Sequence, residues 1–265
     1  MTCINCGHNG EGRFCSNCSQ PLHVKRLTFK EGFLDFWARI YGFDGMFPRT
    51  FRDLTLRPGF AAREFINGNR ARYYGPVGYF FLMITCFLLL LSIMDLSFVD
   101  YMKSMQEDLP YGGGGENVQQ KVRQFVADNI KIIAFLIVPF QAFTSRYIFF
   151  RKQGLNFIEH SVLPLYMLGH WYWISMIEAI LFKYTGFTMG SQLNTLLVSL
   201  YMGYGYVSFV PDQPKVKVFF KGFGLYYVSF LLFVTIMLIV ALSLVFILLA
   251  VDPGSLDAIR PSKNL

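Results

Sequence analysis

Three long stretches of the chain carry no formal charge, and they limit the folds that it can adopt. They are residues 73–94, 184–211 and 222–251, which are 22, 28 and 30 residues long. A helix of about 20 apolar residues is enough to cross the hydrocarbon core of a bilayer. The composition agrees, since 54% of the residues are apolar and only 15% are charged. We therefore predict an all-α, multi-pass membrane protein and exclude a disordered chain, a secreted disulfide scaffold and a soluble enzyme.

The apolar sequence is best divided into five transmembrane helices, which form a domain over residues 76–251. The second helix is the least regular, because Lys131 and Arg146 must reach the membrane surface from its ends and Pro139 should kink it. The predicted spans are residues 76–97, 129–149, 158–182, 191–210 and 222–250.

The distribution of basic residues predicts the orientation of these spans. The chain has 24 Lys and Arg against 17 Asp and Glu, and 11 of the basic residues precede Gly75. Because Lys and Arg near membrane spans stay in the cytoplasm, the amino terminus should be cytoplasmic. Five spans then place the lysines of 215–221 inside, an outer loop at 97–128, and an external carboxyl-terminal tail at 252–265.

Four cysteines in the first 24 residues have the spacing of a zinc ribbon. Cys3, Cys6, Cys15 and Cys18 form a C-x2-C-x8-C-x2-C pattern, and two such pairs can surround one tetrahedral zinc ion. Disulfides are the alternative, but cytoplasmic thiols are kept reduced. Because cysteines fill all four positions, we expect a structural zinc site without catalytic chemistry. His8 is an alternative ligand of lower rank.

Residues 25–75 read as amphipathic helices at the cytoplasmic interface. The patterns predict helices from Thr28 to about Gly42, over 47–56 and over 60–66, each combining aromatic residues with Arg. Such helices lie among lipid headgroups, and anionic headgroups would contact the basic side chains. The alternative is that their apolar faces pack on the transmembrane bundle, and nucleic-acid binding is disfavoured beside a membrane. The predicted headgroup contacts are Arg49, Arg52, Arg57 and Arg63.

Several blocks together resemble an uncharacterised bacterial family of multi-pass inner-membrane proteins with an amino-terminal zinc ribbon. The blocks are residues 14–20, 47–54, 57–59, 63–66, 68–70, Tyr73 and 156–160, and their order is more specific than any one of them. Ser19 departs from the pattern, since the second knuckle usually has Gly there. The resemblance implies the fold and a location in the bacterial cytoplasmic membrane. It implies no reaction.

Polar residues on the third predicted span are candidates for proton or ion transfer, since such groups are costly inside a membrane. Glu159 and His170 are about 20° apart around a helix, and His160 adjoins Glu159. The alternative is that these residues are structural, at the interface or hydrogen-bonded in the bundle. Gln141 and Asn194 are candidates for hydrogen bonds between helices.

Three classes of function follow from this pattern. We favour a non-enzymatic membrane scaffold or regulator with a cytoplasmic docking head, which would bind a cytoplasmic protein at the ribbon. The second class is a transporter or channel using Glu159, His160 and His170. The third is a lipid-modifying enzyme, although the sequence holds no nucleophile elbow, metalloprotease motif or nucleotide fingerprint.

Overall fold

The computed structural model describes residues 1–23, 28, 46–105 and 116–251. Within these ranges the regular elements are helices, and the β-structure consists of two isolated bridges, Thr2↔Asn9 and Phe14↔Pro21. The predicted all-α class is thus confirmed for the described residues. The helix predicted from Thr28 to Gly42 lies outside them, apart from Thr28. The α-helices are α1 (Met46–Leu56), α2 (Pro58–Ile66), α3 (Pro76–Ile93), α4 (Phe98–Met105), α5 (Glu116–Asp128), α6 (Ile130–Phe143), α7 (Phe157–Thr185), α8 (Gly190–Phe209) and α9 (Lys215–Val251).

Three of the helices are long and apolar enough to cross a membrane. They are Pro76–Ile93, Ile130–Phe149 and Lys215–Val240, of which the second continues α6 through a π-helical turn at Thr144–Phe149. These are the first, second and fifth of the predicted spans. Helices α7 and α8 occupy the positions of the third and fourth spans and have 29 and 20 residues, but their composition is more polar.

Glycines allow the long helices to approach one another closely. A Cβ atom on Gly169 of α7 would lie 2.9 Å from the Cα atom of Phe80 on α3. A Cβ atom on Gly222 of α9 would lie 3.1 Å from the Cα atom of Gly203 on α8. Small residues at crossings are typical of membrane helices, where van der Waals contact replaces the hydrophobic effect as the force between helices.

The two short helices α1 and α2 pack against the sides of α7 and α8. Their inward faces are buried, with Leu54, Ala61, Ala62 and Phe65 each at most 1% exposed. Of the two alternatives for this segment, packing on the bundle accounts for these faces. The outer faces remain exposed, including Arg49 and Leu56. We refer to residues 1–23 and 46–75 as the head.

Helix α4 packs at the end of the bundle that lies opposite the head. The Tyr101 hydroxyl of α4 donates to a carboxylate oxygen of Glu178 on α7 at 3.0 Å, and the backbone N–H of Met189 donates to the other oxygen at 2.8 Å. Glu178 is 1% exposed, so these bonds satisfy a buried acid near the end of α7.

Candidate metal centre and its attachment to the bundle

The four predicted cysteine ligands lie together. The Sγ atoms of Cys3, Cys6, Cys15 and Cys18 are all within 4.8 Å of one another. Two of the distances are short, 3.5 Å from Cys3 to Cys18 and 3.6 Å from Cys6 to Cys15. Tetrahedral ligation with bonds of about 2.3 Å separates sulfur atoms by about 3.8 Å, so the four thiols fit a metal ion of that kind. His8 is exposed and is not part of the cluster.

Each pair of cysteines sits in a knuckle, and the two knuckles have the same hydrogen bonds. In the first, Cys3 N–H donates to His8 O and Gly7 N–H donates to Cys3 O, both at 2.9 Å. In the second, Cys15 N–H donates to Gln20 O and Ser19 N–H to Cys15 O, both at 2.8 Å. The departure at Ser19 therefore leaves the knuckle closed. Its cost is a backbone φ of +56°, in the region that Gly7 occupies at +72°.

The first knuckle favours the thiolate form of one ligand. A hydrogen bond with the His8 backbone and a second with the Asn17 side chain lower the pKa of the Cys6 thiol to about 6. The thiolate is the form that binds metals. At Cys18 a backbone bond with Gln20 lowers the pKa, but burial and bonds with Cys6 and Cys3 outweigh it and raise the pKa to about 11. The two thiols therefore differ in how readily they form the thiolate.

Gln20 attaches the cysteine cluster to the rest of the head. Its side-chain Nε2 donates to the backbone O of Gly68 at 2.5 Å, and its Oε1 accepts from the backbone N–H of Ala71 at 2.8 Å. The side chain is completely buried. Because both ends of one amide are bonded to the loop between α2 and α3, the cysteine cluster is held at a fixed place beside that loop.

A buried carboxylate ties the same loop to α1. Asp53 is 1% exposed and accepts from the Tyr73 hydroxyl at 2.8 Å and from Arg52 at 2.9 Å, while Arg57 lies 3.5 Å away. Burial alone raises the pKa of Asp53, but the bonds from Tyr73 and Arg52 and the charge of Arg57 lower it below its ordinary value. Burial and the Asp53 carboxylate also raise the pKa of Tyr73. One residue further along, Thr50 Oγ1 accepts from the backbone N–H of Tyr74 at 2.8 Å.

The sequence Arg57-Pro58-Gly59 separates α1 from α2, and this junction packs closely against α8. Pro58 has no N–H to give to Leu54 O, four residues earlier, and the Tyr201 hydroxyl of α8 donates to that carbonyl at 2.9 Å instead. The Tyr204 hydroxyl donates in the same way to Leu56 O. A Cβ atom on Gly59 would lie 2.1 Å from the carbonyl O of Gly205, so only glycine fits at this crossing.

The four arginines predicted to contact headgroups have different surroundings. Arg49 is exposed, whereas Arg52 and Arg57 approach Asp53 with side chains that are 61% and 45% exposed. Arg63 is bonded inside the protein, with Nε donating to Phe209 O at 2.5 Å and Nη2 to Gln153 Oε1 at 3.0 Å. Arg63 thus caps the carboxyl end of α8.

The candidate transfer residues of α7 each have their own structural partner. Glu159 forms a capping box with Asn156. The Glu159 carboxylate accepts from the Asn156 backbone N–H at 2.7 Å, and the Glu159 backbone N–H donates to the Asn156 side-chain oxygen at 2.8 Å. The Nδ1 atom of His160 lies 2.8 Å from Ser145 Oγ. Asn194, a predicted bridging residue, accepts from Trp171 Nε1 at 3.1 Å.

His170 joins α7 to α1 and α3. Its Nδ1 lies 2.8 Å from the Tyr79 hydroxyl and its Nε2 lies 3.1 Å from Thr55 Oγ1. Since the Thr55 hydroxyl donates to Phe51 O, it accepts from Nε2–H, and Nδ1 accepts from Tyr79. A neutral His170 ring can therefore form both hydrogen bonds, donating from Nε2 and accepting at Nδ1. His170 is about 15 Å along the helix from His160, so the structure does not bring the two imidazoles together.

The structure also groups buried polar residues that the sequence did not single out as a set. Gln141 and Thr144 have buried side-chain polar atoms without a hydrogen-bond partner in the described part of the chain, and the buried Tyr206 hydroxyl interacts with Ser145. Thr144 adjoins Ser145, the partner of His160, at the π-helical turn. Gln141 had been expected to bridge helices. The polar residue Gln141 within an apolar span was the signal that could have indicated this polar group next to the π-helical turn.

Comparison with known proteins identifies one segment. Residues 44–88 match the model of a family described as Protein of unknown function (DUF3667). The predicted resemblance to an uncharacterised family is confirmed by this match. The DUF3667 segment contains α1, α2 and the loop that Gln20 contacts, and it ends within α3. No curated protein and no solved structure matches the chain.

Proposed function

We propose that the protein is a non-enzymatic membrane scaffold or regulator, in which the head is a docking surface for a cytoplasmic protein. The observation that carries this proposal is the pair of hydrogen bonds between the Gln20 side chain and the backbone, in which Nε2 donates to Gly68 O and Oε1 accepts from Ala71 N–H. They fix the cysteine cluster to the DUF3667 segment, which itself packs on α7 and α8. A partner that binds the cluster is therefore mechanically connected to the membrane helices.

The metal in this proposal is a structural zinc ion bound by Cys3, Cys6, Cys15 and Cys18. Zinc is the ion that four thiolates in tetrahedral arrangement ordinarily hold in cytoplasmic proteins. Four protein ligands leave no position for a reactive water, so the ion would fold the first 23 residues and supply no catalysis.

The membrane arrangement in this proposal has five crossings in the bacterial cytoplasmic membrane, with the amino terminus inside and the carboxyl terminus outside. It is supported by the gathering of basic segments at one end: Lys221 Nζ donates to Phe149 O at 3.2 Å, and Arg63 reaches Gln153. The polar groups of α7 are bonded within the protein, which lowers the cost of a crossing by that helix.

Reporter fusions test this arrangement. Fusions after Asn67, Gln153 and Gln213 should give cytoplasmic signals, and fusions after Gly114, Met189 and Leu265 should give external ones. A cytoplasmic signal at Leu265 would refute the five-crossing arrangement.

The docking surface in this proposal includes exposed apolar side chains beside the cysteines. Ile4 is 56% exposed and Phe14 is 61% exposed, although both adjoin buried ligands, Cys3 and Cys15. Apolar side chains held in water by a rigid knuckle are suited to a protein interface, where apolar anchors supply most of the binding energy.

Photocrosslinking in intact cells tests the docking proposal. A photoreactive amino acid in place of Phe14 should give one discrete protein adduct, and Ile4→Ser in the same chain should reduce its yield. Combining the probe with Cys3→Ser and Cys6→Ser should abolish the adduct, because the knuckles would unfold. An adduct that persists without the cysteines, or no adduct from the probe at position 14, would contradict docking at the ribbon.

A second candidate function is transport, and the buried polar atoms of Gln141 and Thr144 are the observation that favours it. Unpaired polar groups beside His160 in a membrane bundle are suited to hold water or an ion. Purified protein in liposomes containing a pH-sensitive dye should then carry protons under an imposed potential, and His160→Ala should slow this flux. Flux equal to that of empty liposomes would exclude proton transport.

A further inference from the structure

A pocket of about 370 Å³ opens where α6 ends and α7 begins, outside the metal centre. It is formed by the π-helical turn and the short connection to α7. Its volume falls in the range of about 300–1,000 Å³ that small-molecule sites occupy. The lining residues are Arg146, Tyr147, Arg151, Gly154, Leu155 and Asn156.

The pocket has an excess of positive charge. Within the described part of the chain, neither Arg146 nor Arg151 has a carboxylate oxygen within 4.0 Å. Glu159, the nearest acid along the chain, has its carboxylate in the capping box of α7. The guanidinium of Arg146 is held over the Tyr147 ring, with its carbon 5.1 Å from the ring centre. Two guanidinium groups on one cavity favour an anion with several oxygen atoms, above all a phosphate.

The surface below the pocket is apolar and belongs to a helix that is apolar enough to cross a membrane. Phe143, Tyr147 and Ile148 are each between 43% and 46% exposed on that helix. A free phosphate ion would not contact this apolar surface. A phospholipid would place its phosphate at the arginines and its acyl chains along the three side chains.

We propose that this pocket binds the phosphate group of one anionic phospholipid from the leaflet on the head's side of the membrane. Three arginines of the head are less suited to the role, since Arg63 is bonded to Phe209 and Gln153, and Arg52 and Arg57 approach Asp53. The site does not depend on the docking function proposed above. A lipid held here contacts the connection between α6 and α7.

Native mass spectrometry of the full-length protein in detergent tests the site. Titration with phosphatidylglycerol should show one tightly bound lipid, and phosphatidylcholine should bind at least several-fold more weakly. The double substitution Arg146→Gln and Arg151→Gln should weaken phosphatidylglycerol binding about 10-fold or more, given the contribution of each basic residue near a membrane surface. The matched control is Lys215→Gln with Lys217→Gln, which removes two exposed charges that do not line the pocket.

Three results would overturn the proposal. The first is equal binding by the wild type and the arginine variant. The second is an equal loss in the arginine and lysine variants, which would show only general attraction to surface charge. The third is displacement of the lipid by millimolar inorganic phosphate, which would identify a free anion as the ligand. Arg151→Gln alone, at an exposed position, should weaken binding several-fold and keeps the test valid if Arg146→Gln disturbs folding.

Discussion

The head and the long helix α9 are stabilised in different ways. In the head, side chains from distant parts of the chain bond to carbonyl groups left free by turns and helix ends, as Gln20 does at Gly68 and Tyr201 at Leu54. In α9, only 11% of the residues in an apolar 18-residue stretch are buried in the protein, whereas 44% of those in Pro76–Ile93 are buried. The head therefore depends on particular partners. The outer part of α9 depends mainly on length and apolar character, which a bilayer requires of any spanning helix.

Loss of the metal should have the largest effect on the head and little on the bundle. Cys3→Ser with Cys6→Ser should reduce bound zinc from about one ion per chain to none, since structural zinc contributes about 10–16 kcal/mol to the folding of small zinc-finger peptides. The thermal midpoint of the bundle in detergent should remain close to that of the wild type. Metal analysis and a melting curve of purified protein check both. Wild-type protein with four free thiols and no metal would refute ligation.

A methyl group at Gly59 should destabilise the protein strongly. The added Cβ of Gly59→Ala would lie 2.1 Å from Gly205 O and 2.2 Å from Phe209 N, which are backbone atoms that cannot move aside alone. Overpacking of this kind costs about 1–3 kcal/mol, and we expect the upper end. Gly224→Ala in α9 is the control, because its nearest neighbour is the Phe149 ring at 3.9 Å. Equal melting shifts for the two variants would remove the contrast between head and α9.

The smallest predicted effect is a gain. Ser19→Gly should relieve a backbone φ of +56° and stabilise the second knuckle by about 0.5–1 kcal/mol, after allowing for the greater flexibility of glycine in the unfolded chain. Zinc should then bind several-fold more tightly in competition with a chelator. Gly7→Ser, at φ +72° in the first knuckle, should weaken binding. Weaker binding by the Ser19→Gly variant would show that the serine side chain itself supports the site.

Sequence patterns predicted the local elements well. The predicted helix over 47–56 is observed as Met46–Leu56, and the cysteine spacing predicted a cluster whose sulfur atoms lie within 4.8 Å. Both are short-range properties, set by helical periodicity and by the reach of a knuckle. The resemblance to an uncharacterised family was likewise correct for residues 44–88.

Contacts between distant parts of the chain could not be predicted from the sequence. Arg63 was predicted to face lipid headgroups because it lies on an amphipathic helix, yet its guanidinium caps α8, 146 residues away. Gln20 is the last residue of the block 14–20, but the sequence predicted no partner for it, and its partners are 48 and 51 residues further along. Periodicity shows which face of a helix is apolar, but not which element covers it.

Hydrogen exchange at the loop between α2 and α3 tests most directly whether the cysteine cluster and the bundle form one unit. The backbone N–H of Ala71 donates to Gln20 Oε1, so Gln20→Ala removes its partner. The amide of Ala71 should exchange about 5-fold faster in this variant, since one hydrogen bond contributes about 1 kcal/mol and local opening sets the rate. Peptides from α9 should exchange at the wild-type rate. Unchanged exchange at Ala71 would contradict the attachment of the cluster through Gln20.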